Sequence, residues 1–499
     1  MKVLFVIPQE KELNSFPYFG NNGILSIASY LKTLGHTVII KDRMLKADNF
    51  RKILKAFNPD IVGVSFISCS AIKDAIKISK KSHESGIPVI WGGYGPIAYP
   101  KVILKEEYVD FVSTGEGEGT LRDLLNAMSE KGTYEDIPGL AYKDEAGDIT
   151  VNPKSPLQAI DALPRLDYSL IDPTEYQFPF YICKSMIYIY DGKGCPCQCK
   201  FCANKSFNEC RSRSRNMDDV VSEINLLHEK YGFDGFFLTR ELFAVNKEEL
   251  YHKCNKLSKV NPGAKWGAMV RSDMFSKEEF DYMYKSGCRW LFFGIESASE
   301  TVLNNMNKRI NTADAKQCIV DCHEAGIMPF ASFIFGFIGA TEEDIKKTVT
   351  YIKDVFSIAK ISCTFFSPAF CSESYNELVE TGRLKEPEKI EQIGVSKQTK
   401  LSENYSLINK KELKVIYYYF MFQSIVAKKI YPEKQGAMLT ENFSIFSKYL
   451  VRFGLKHFAK MLYKYTLFGK DLLYYTFMFP RIRRKYNLPL RIEADQNFV

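Results

Sequence analysis

The chain has 499 residues, of which 46% are hydrophobic and 25% charged, the fractions of an ordinary globular protein with room for two or three domains. No stretch is long and apolar enough to span a bilayer, and residues 1–8 read as a buried strand rather than a signal peptide. With thirteen cysteines and no export signal, the expected compartment is a reducing cytoplasm. The net charge of +8 is uneven, because residues 405–499 hold 17 Lys or Arg against 6 Asp or Glu, a local +11 that leaves −3 for the rest.

From residue 1 to about 131, short β-branched runs alternate with segments of helical spacing. Strands are expected at 2–7, 37–41, 61–65, 88–92 and 111–113, and helices at 24–33, 50–57, 70–85 and 121–130. Strand and helix taking turns implies a doubly wound parallel sheet, a Rossmann-like domain over 1–142, and such sheets bind ligands at the carboxyl ends of their strands. Small residues gather at those ends: Gly63-Val64-Ser65, then Gly92-Gly93-Tyr94-Gly95-Pro96, then Gly115-Glu116-Gly117-Glu118-Gly119. One such cluster reads as a strand-to-helix turn; three together suit the close approach of a bulky planar ligand. Residues 143–180, rich in Gly, Asp and Pro, are expected to be a linker that packs on both neighbours.

From residue 181 the alternation resumes for six rounds, with strands at 186–190, 235–238, 264–271, 290–295, 329–335 and 360–366. Six strand-helix units over 181–400 make a partial (β/α)6 TIM-type barrel, whose catalytic groups belong at the carboxyl-terminal mouth. After the first strand comes Gly194-Cys195-Pro196-Cys197-Gln198-Cys199-Lys200-Phe201-Cys202. The spacing of Cys195, Cys199 and Cys202 can place three thiolates on three corners of a 4Fe-4S cluster and leave the fourth iron for a chelating small molecule. Structural zinc and a redox pair are the alternatives; zinc ribbons usually need a distant second pair of ligands, and no second Cys-x-x-Cys occurs. Cys197 with Cys202 offers a rival register.

The loop, with Phe201 just before its third cysteine, resembles that of radical S-adenosylmethionine (SAM) enzymes, and it is this resemblance that selects Cys195, Cys199 and Cys202. It implies that the open iron holds SAM, that an electron from a donor such as flavodoxin or ferredoxin splits it to a 5'-deoxyadenosyl radical, and that further SAM contacts sit at later strand ends. Glu241 would face the amino group, Arg271 the carboxylate, and Glu296, with Ser297 in Gly294-Ile295-Glu296-Ser297, the ribose. Gly336 opens the turn expected against adenine, where Ile338 replaces the family's usual proline. Taken singly, Glu241, Arg271 and Glu296 could each be surface ion pairs. The amino-terminal glycine clusters resemble the cobalamin-binding domain that precedes many radical SAM cores, which implies cobalamin contacts from Ser65, Gly92, Gly93, Tyr94, Gly115 and Glu116. No Asp-x-His-x-x-Gly occurs, so no histidine is expected below the cobalt.

Residues 401–499 turn helical, aromatic and basic, with Lys448, Arg452, Lys456, Lys460 and Lys464 recurring every fourth residue. A helical cap over the barrel is expected, and a peripheral membrane contact through 405–485 is the second reading, suited to an apolar substrate. Nucleic acid is not an expected partner, since no RNA-binding module is legible. The activity the resemblance implies is cobalamin-dependent methylation of an unactivated carbon. A radical cyclisation or rearrangement is the alternative within the family, and a non-catalytic cluster or cobalamin sensor the alternative outside it.

Overall fold

Two seven-stranded sheets carry the computed structural model, which describes residues 1–9, 22–45, 49–66, 71–144, 146–395, 403–426 and 481–488. In the first, β1 (Lys2–Ile7), β2 (Thr37–Asp42), β3 (Ile61–Ser65), β4 (Val89–Gly92) and β5 (Phe111–Ser113) are parallel in the order β2-β1-β3-β4-β5. Side chains of β1 divide between two cores. Val3 and Phe5 meet Ile24, Ala28 and Leu31 of helix Asn22–Thr33, whereas Leu4 and Val6 meet Phe50, Leu54 and residues of helix Ile72–His83. Burial on both faces is why these strands read as unbroken apolar runs.

The sheet continues as an antiparallel hairpin, β6 (Leu140–Lys143) and β7 (Ile149–Val151), so it reaches into the stretch expected to be linker. Strands of four and three residues leave too short a pattern to read in sequence. Beyond them, Asp167 N–H donates to Ser29 Oγ (2.8 Å), Tyr176 Oη to Asp42 (3.1 Å) and Tyr168 Oη to Glu223 (2.5 Å), so the connector touches elements on both sides.

The second sheet begins with β8 (Phe178–Phe180), antiparallel to β9 (Cys183–Ile189). A separate ribbon, β10 (Gly192–Lys193) with β11 (Arg213–Ser214), brackets the cysteine loop. Then β12 (Gly235–Leu238), β13 (Lys265–Val270), β14 (Cys288–Glu296), β15 (Met328–Phe335) and β16 (Lys360–Phe365) follow in parallel, in the order β16-β15-β14-β13-β12-β9-β8. This is the expected six-stranded open barrel. Its interior is filled with rings, Phe292 stacked on Phe330 at 4.4 Å and Phe180 against Trp290, which leaves the carboxyl-terminal mouth for ligands.

Helix Lys410–Val426 lies on β16, with Tyr417 on Phe365 (4.6 Å) and Phe420 on Phe335 (6.4 Å), and shares the outer core of the barrel with Ile482 and Tyr486. In its described part the tail is therefore barrel wall. Lys448, Arg452, Lys456, Lys460 and Lys464 lie outside the described residues. Among the described residues, no helix is long and apolar enough to cross a membrane.

Candidate active site

The carboxyl ends of the two sheets meet around a cavity of about 480 Å³. Ser65, Gly92, Gly93, Tyr94, Gly115 and Glu116 all line it from the first sheet, and Tyr190, Lys193, Phe207, Thr239, Glu241 and Met269 face them from the barrel side. Gly93 has φ +112°, and a Cβ there would lie 2.3 Å from the Phe66 carbonyl oxygen, so the turn after β4 accepts only glycine. Tyr94, about half exposed, meets the ring of Phe207 at 4.8 Å across the rim.

Glu116 ties the two sides together. Its carboxylate accepts from Arg213 (2.8 and 3.0 Å), from Lys193 (3.0 Å) and from the Gln158 N–H (2.8 Å). Burial opposes the charge, but the Arg213 hydrogen bonds and the Lys193 charge hold the carboxyl at about 2. Because that lies below the ordinary 4.5, the tie is at full strength above pH 4.5 and is lost as pH falls from there towards 2. Glu116→Gln is expected to cost about 3 kcal/mol at neutral pH and to remove that acid limb. Urea unfolding across pH checks it; equal loss for wild type and variant between pH 5 and 3 would contradict the role.

The cysteine loop starts on Gly194, at φ +88°, where a Cβ would lie 2.0 Å from the Arg211 carbonyl oxygen. The Gly194 N–H donates to Glu241 Oε2 (2.5 Å), so the acidic residue after β12 reaches the loop directly. Cys195, Cys199 and Cys202 are free and half-buried. The Asn204 side chain donates to the Cys195 carbonyl (2.6 Å), and its N–H to Cys202 Sγ (3.5 Å). Phe201 packs beside Met306, Phe337 and Phe366 and anchors the loop. Among the described residues, no group of three or more His, Cys, Asp or Glu is placed to hold a single metal ion.

Cys197 has its own partner, for Arg271 Nη1 donates to its Sγ (3.2 Å). The hydrogen bond from Cys195 and the Arg271 charge hold Cys197 down to about 6, while the same bond and burial push Cys195 up. The Arg271 fork is otherwise bound to Asp273 through Nε (2.9 Å) and Nη2 (2.7 Å). Residues 306–308 clamp the loop: Asn307 donates to the Gln198 carbonyl (2.7 Å), Lys200 N–H donates to that of Met306 (2.9 Å), and Lys308 pairs with Glu296 (3.2 Å). Burial opposes the Lys308 charge, but Glu296 and Cys199 outweigh it and raise its pKa. Glu296 itself sits at φ +67°, Ser297 Oγ contacts Thr348 Oγ1 (3.2 Å), and Gly336 closes β15 at φ +80°.

Arg240, next to Glu241 in the sequence, is 1% exposed and grips Glu249 with both Nη atoms (2.6 and 2.9 Å). Its N–H donates to Asp191 (2.9 Å), which also receives Lys253 Nζ (3.0 Å), both fully buried. This network braces the backbone that leads from β9 into the cysteine loop. Cys371 and Tyr375, which follow β16, do not line the cavity; Tyr375 is buried against Tyr99, and the Cys371 carbonyl accepts from Ser206. Lys193, Arg213, Lys308 and Asp273 went unassigned in the sequence, although Lys193 adjoins the loop and Lys308 ends the segment after Gly294–Ser297.

The groups present fit the implied cofactors. Four free thiols share one loop with an N–H donor to sulfur, and Asn22 Oδ1, Ser113 Oγ and Tyr190 Oη on the cavity wall are buried without a partner among the described residues, as a wall shaped for a ligand leaves them. Fold and site together define an open-barrel enzyme with a cluster loop at its mouth and a ligand-binding parallel sheet ahead of it. Residues 189–352 match the family model of the radical SAM superfamily, and residues 16–125 that of the B12 binding domain. The chain belongs to the radical SAM superfamily, among the members that bind cobalamin through an amino-terminal domain.

An uncharacterised methyltransferase of Pyrococcus horikoshii is 29% identical over 366 residues, 71% of this chain and 78% of that protein. The anaerobic magnesium-protoporphyrin IX monomethyl ester cyclase of Rubrivivax gelatinosus is 27% identical over 71% of this chain and 66% of its own. Among solved structures, the cobalamin-dependent SAM radical enzyme OxsB with aqua-cobalamin bound superposes with a TM-score of 0.72 at 15% identity, over 99% of this chain and 77% of its own. The radical SAM methyltransferase TsrM of Kitasatospora setae, with cobalamin and a 4Fe-4S cluster bound, gives 0.63 at 18%, over 76% and 75%. At those identities the likeness is one of fold.

Proposed function

We propose that this chain methylates an unactivated carbon in a cobalamin-dependent radical SAM reaction. One observation carries the reading: the cavity lined by the glycine turns of the first sheet is also lined by Glu241, whose carboxylate holds the start of the cysteine loop. Cys195, Cys199 and Cys202 would hold the cluster, Phe201, Glu241, Arg271, Glu296, Ser297 and Gly336 would surround SAM, and Ser65, Gly92, Gly93, Tyr94, Gly115 and Glu116 would meet the corrinoid. When bound, these groups supply the electron, the hydrogen-abstracting radical and the methyl carrier.

The chain's own part is positioning and exclusion of water. Glu241, Asn204 and Asn307 hold the loop by its backbone, and the Glu116 tie joins the two sides of the cavity. The implied reductant is flavodoxin or ferredoxin. A basic tail resting on anionic lipid would suit an apolar substrate.

Anaerobic incubation of the reconstituted protein with SAM, hydroxocobalamin and dithionite is expected to yield both 5'-deoxyadenosine and S-adenosylhomocysteine. The likeness to the Rubrivivax gelatinosus cyclase favours a second reading, radical cyclisation, which predicts deoxyadenosine without S-adenosylhomocysteine. If neither product formed, turnover chemistry of either kind would be excluded and a sensor would remain.

A further inference from the structure

Buried polar side chains are almost always hydrogen-bonded, so several unpartnered ones on the wall of one cavity call for a cause. Among the described residues, Asn22 Oδ1, Ser113 Oγ and Tyr190 Oη have no partner; their residues are 8%, 3% and 7% exposed, and all three line the same cavity. They come from separate elements: the first turn of helix Asn22–Thr33, the end of β5, and the residue after β9 in the barrel.

Apart from Glu241, which accepts from the Gly194 N–H (2.5 Å) and is assigned to SAM, the charges on the wall are already answered. Glu116 is bound by Arg213 and Lys193, Glu118 accepts from Ser26 Oγ (2.7 Å) with Lys193 at 3.8 Å, and Lys154 donates to the Ser206 carbonyl (3.0 Å) and pairs with Glu209 (3.3 Å). What remains is neutral: one amide oxygen and two hydroxyls. Burial pushes the Tyr190 phenol up to about 12, which keeps it a donor at any working pH. Its ring is held in place by Arg215 at 5.5 Å and Lys193 at 5.7 Å.

The ligand chemistry that answers neutral donors and acceptors without charge is the primary amide, with one carbonyl and two N–H groups. The rim of a corrin ring carries many of these. We propose that Asn22, Ser113 and Tyr190 bind amide side chains of the corrinoid, with Tyr190 as the barrel's hand on it, so that the group is gripped from both sheets at once. The proposal rests on the cavity taking a corrinoid.

The test is titration of hydroxocobalamin into the full-length, cluster-reconstituted protein, paired with the thermal midpoint of the corrinoid-free protein. Tyr190→Phe keeps the ring and deletes only the hydroxyl; Ser113→Ala is the second variant. Each is expected to weaken hydroxocobalamin binding about tenfold while the corrinoid-free midpoint stays level or rises, because an unsatisfied buried group has been removed. A structural role moves the readouts the other way, with the midpoint falling and affinity unchanged, and that result overturns the proposal. So does wild-type affinity in both variants. If the wild-type protein itself binds no hydroxocobalamin, the corrinoid reading of the cavity fails and takes this proposal with it; wild-type binding with unaffected variants sinks the proposal alone.

Discussion

Alanine at Cys195, Cys199 or Cys202 is expected to abolish cluster assembly and to lower 5'-deoxyadenosine formation by more than about a thousandfold, some 4 kcal/mol or more in the barrier. The reason is the count of ligands. A cubic cluster held by three sulfurs has none to spare. Cys197→Ala provides the contrast. Its thiol is engaged by Arg271, whose guanidinium is also anchored on Asp273, so its loss should leave iron content near that of the wild type. Iron and sulfide analysis of the four variants after anaerobic reconstitution decides between the registers. Loss of the cluster in Cys197→Ala with retention in Cys195→Ala would assign the other register.

The largest effect on stability is expected at Lys253. Lys253→Met strands the Asp191 carboxylate, which is 0% exposed, with only the Arg240 N–H beside it. Burial lowers the Lys253 pKa, and the Asp191 carboxylate 3.0 Å away opposes that fall. Removing one partner of such a pair typically costs about 3–5 kcal/mol, roughly 10 °C in unfolding midpoint for a unit of this size. The double variant Asp191→Asn, Lys253→Met should recover part of that loss, since no charge is then left unpaired. Thermal unfolding of the set checks the coupling. Additive single effects would show that the pair does not act as a unit. Because Asp191 precedes the ribbon that feeds the cysteine loop, cluster content should fall with stability in the single variant and return with it in the double.

The strands were legible because burial on both faces writes itself as a run. The β1 sequence Lys2–Ile7 and the β14 segment from Trp290 to Glu296 need no partner to be recognised. The cysteine loop was legible for a related reason, since its four cysteines fall within nine consecutive residues. Pairings across the fold were not. Glu116 was chosen for its place at a strand end, but its partners Lys193 and Arg213 lie 77 and 97 residues further on, and nothing local marks them. Nor does anything local mark Arg240, whose bond to Glu249, nine residues later, makes it the inner brace of the loop. Asn22 and Tyr190 carry no motif at all; only the cavity they share, with the chain folded, sets them side by side.

The proposed chemistry requires a three-thiolate cluster with an iron open to SAM. Electron paramagnetic resonance of the anaerobically reconstituted, dithionite-reduced protein tests this most directly. A reduced 4Fe-4S signal that changes shape when SAM is added is the expected result. A protein holding only tetrahedral zinc at this loop, or a cluster signal indifferent to SAM, would contradict it.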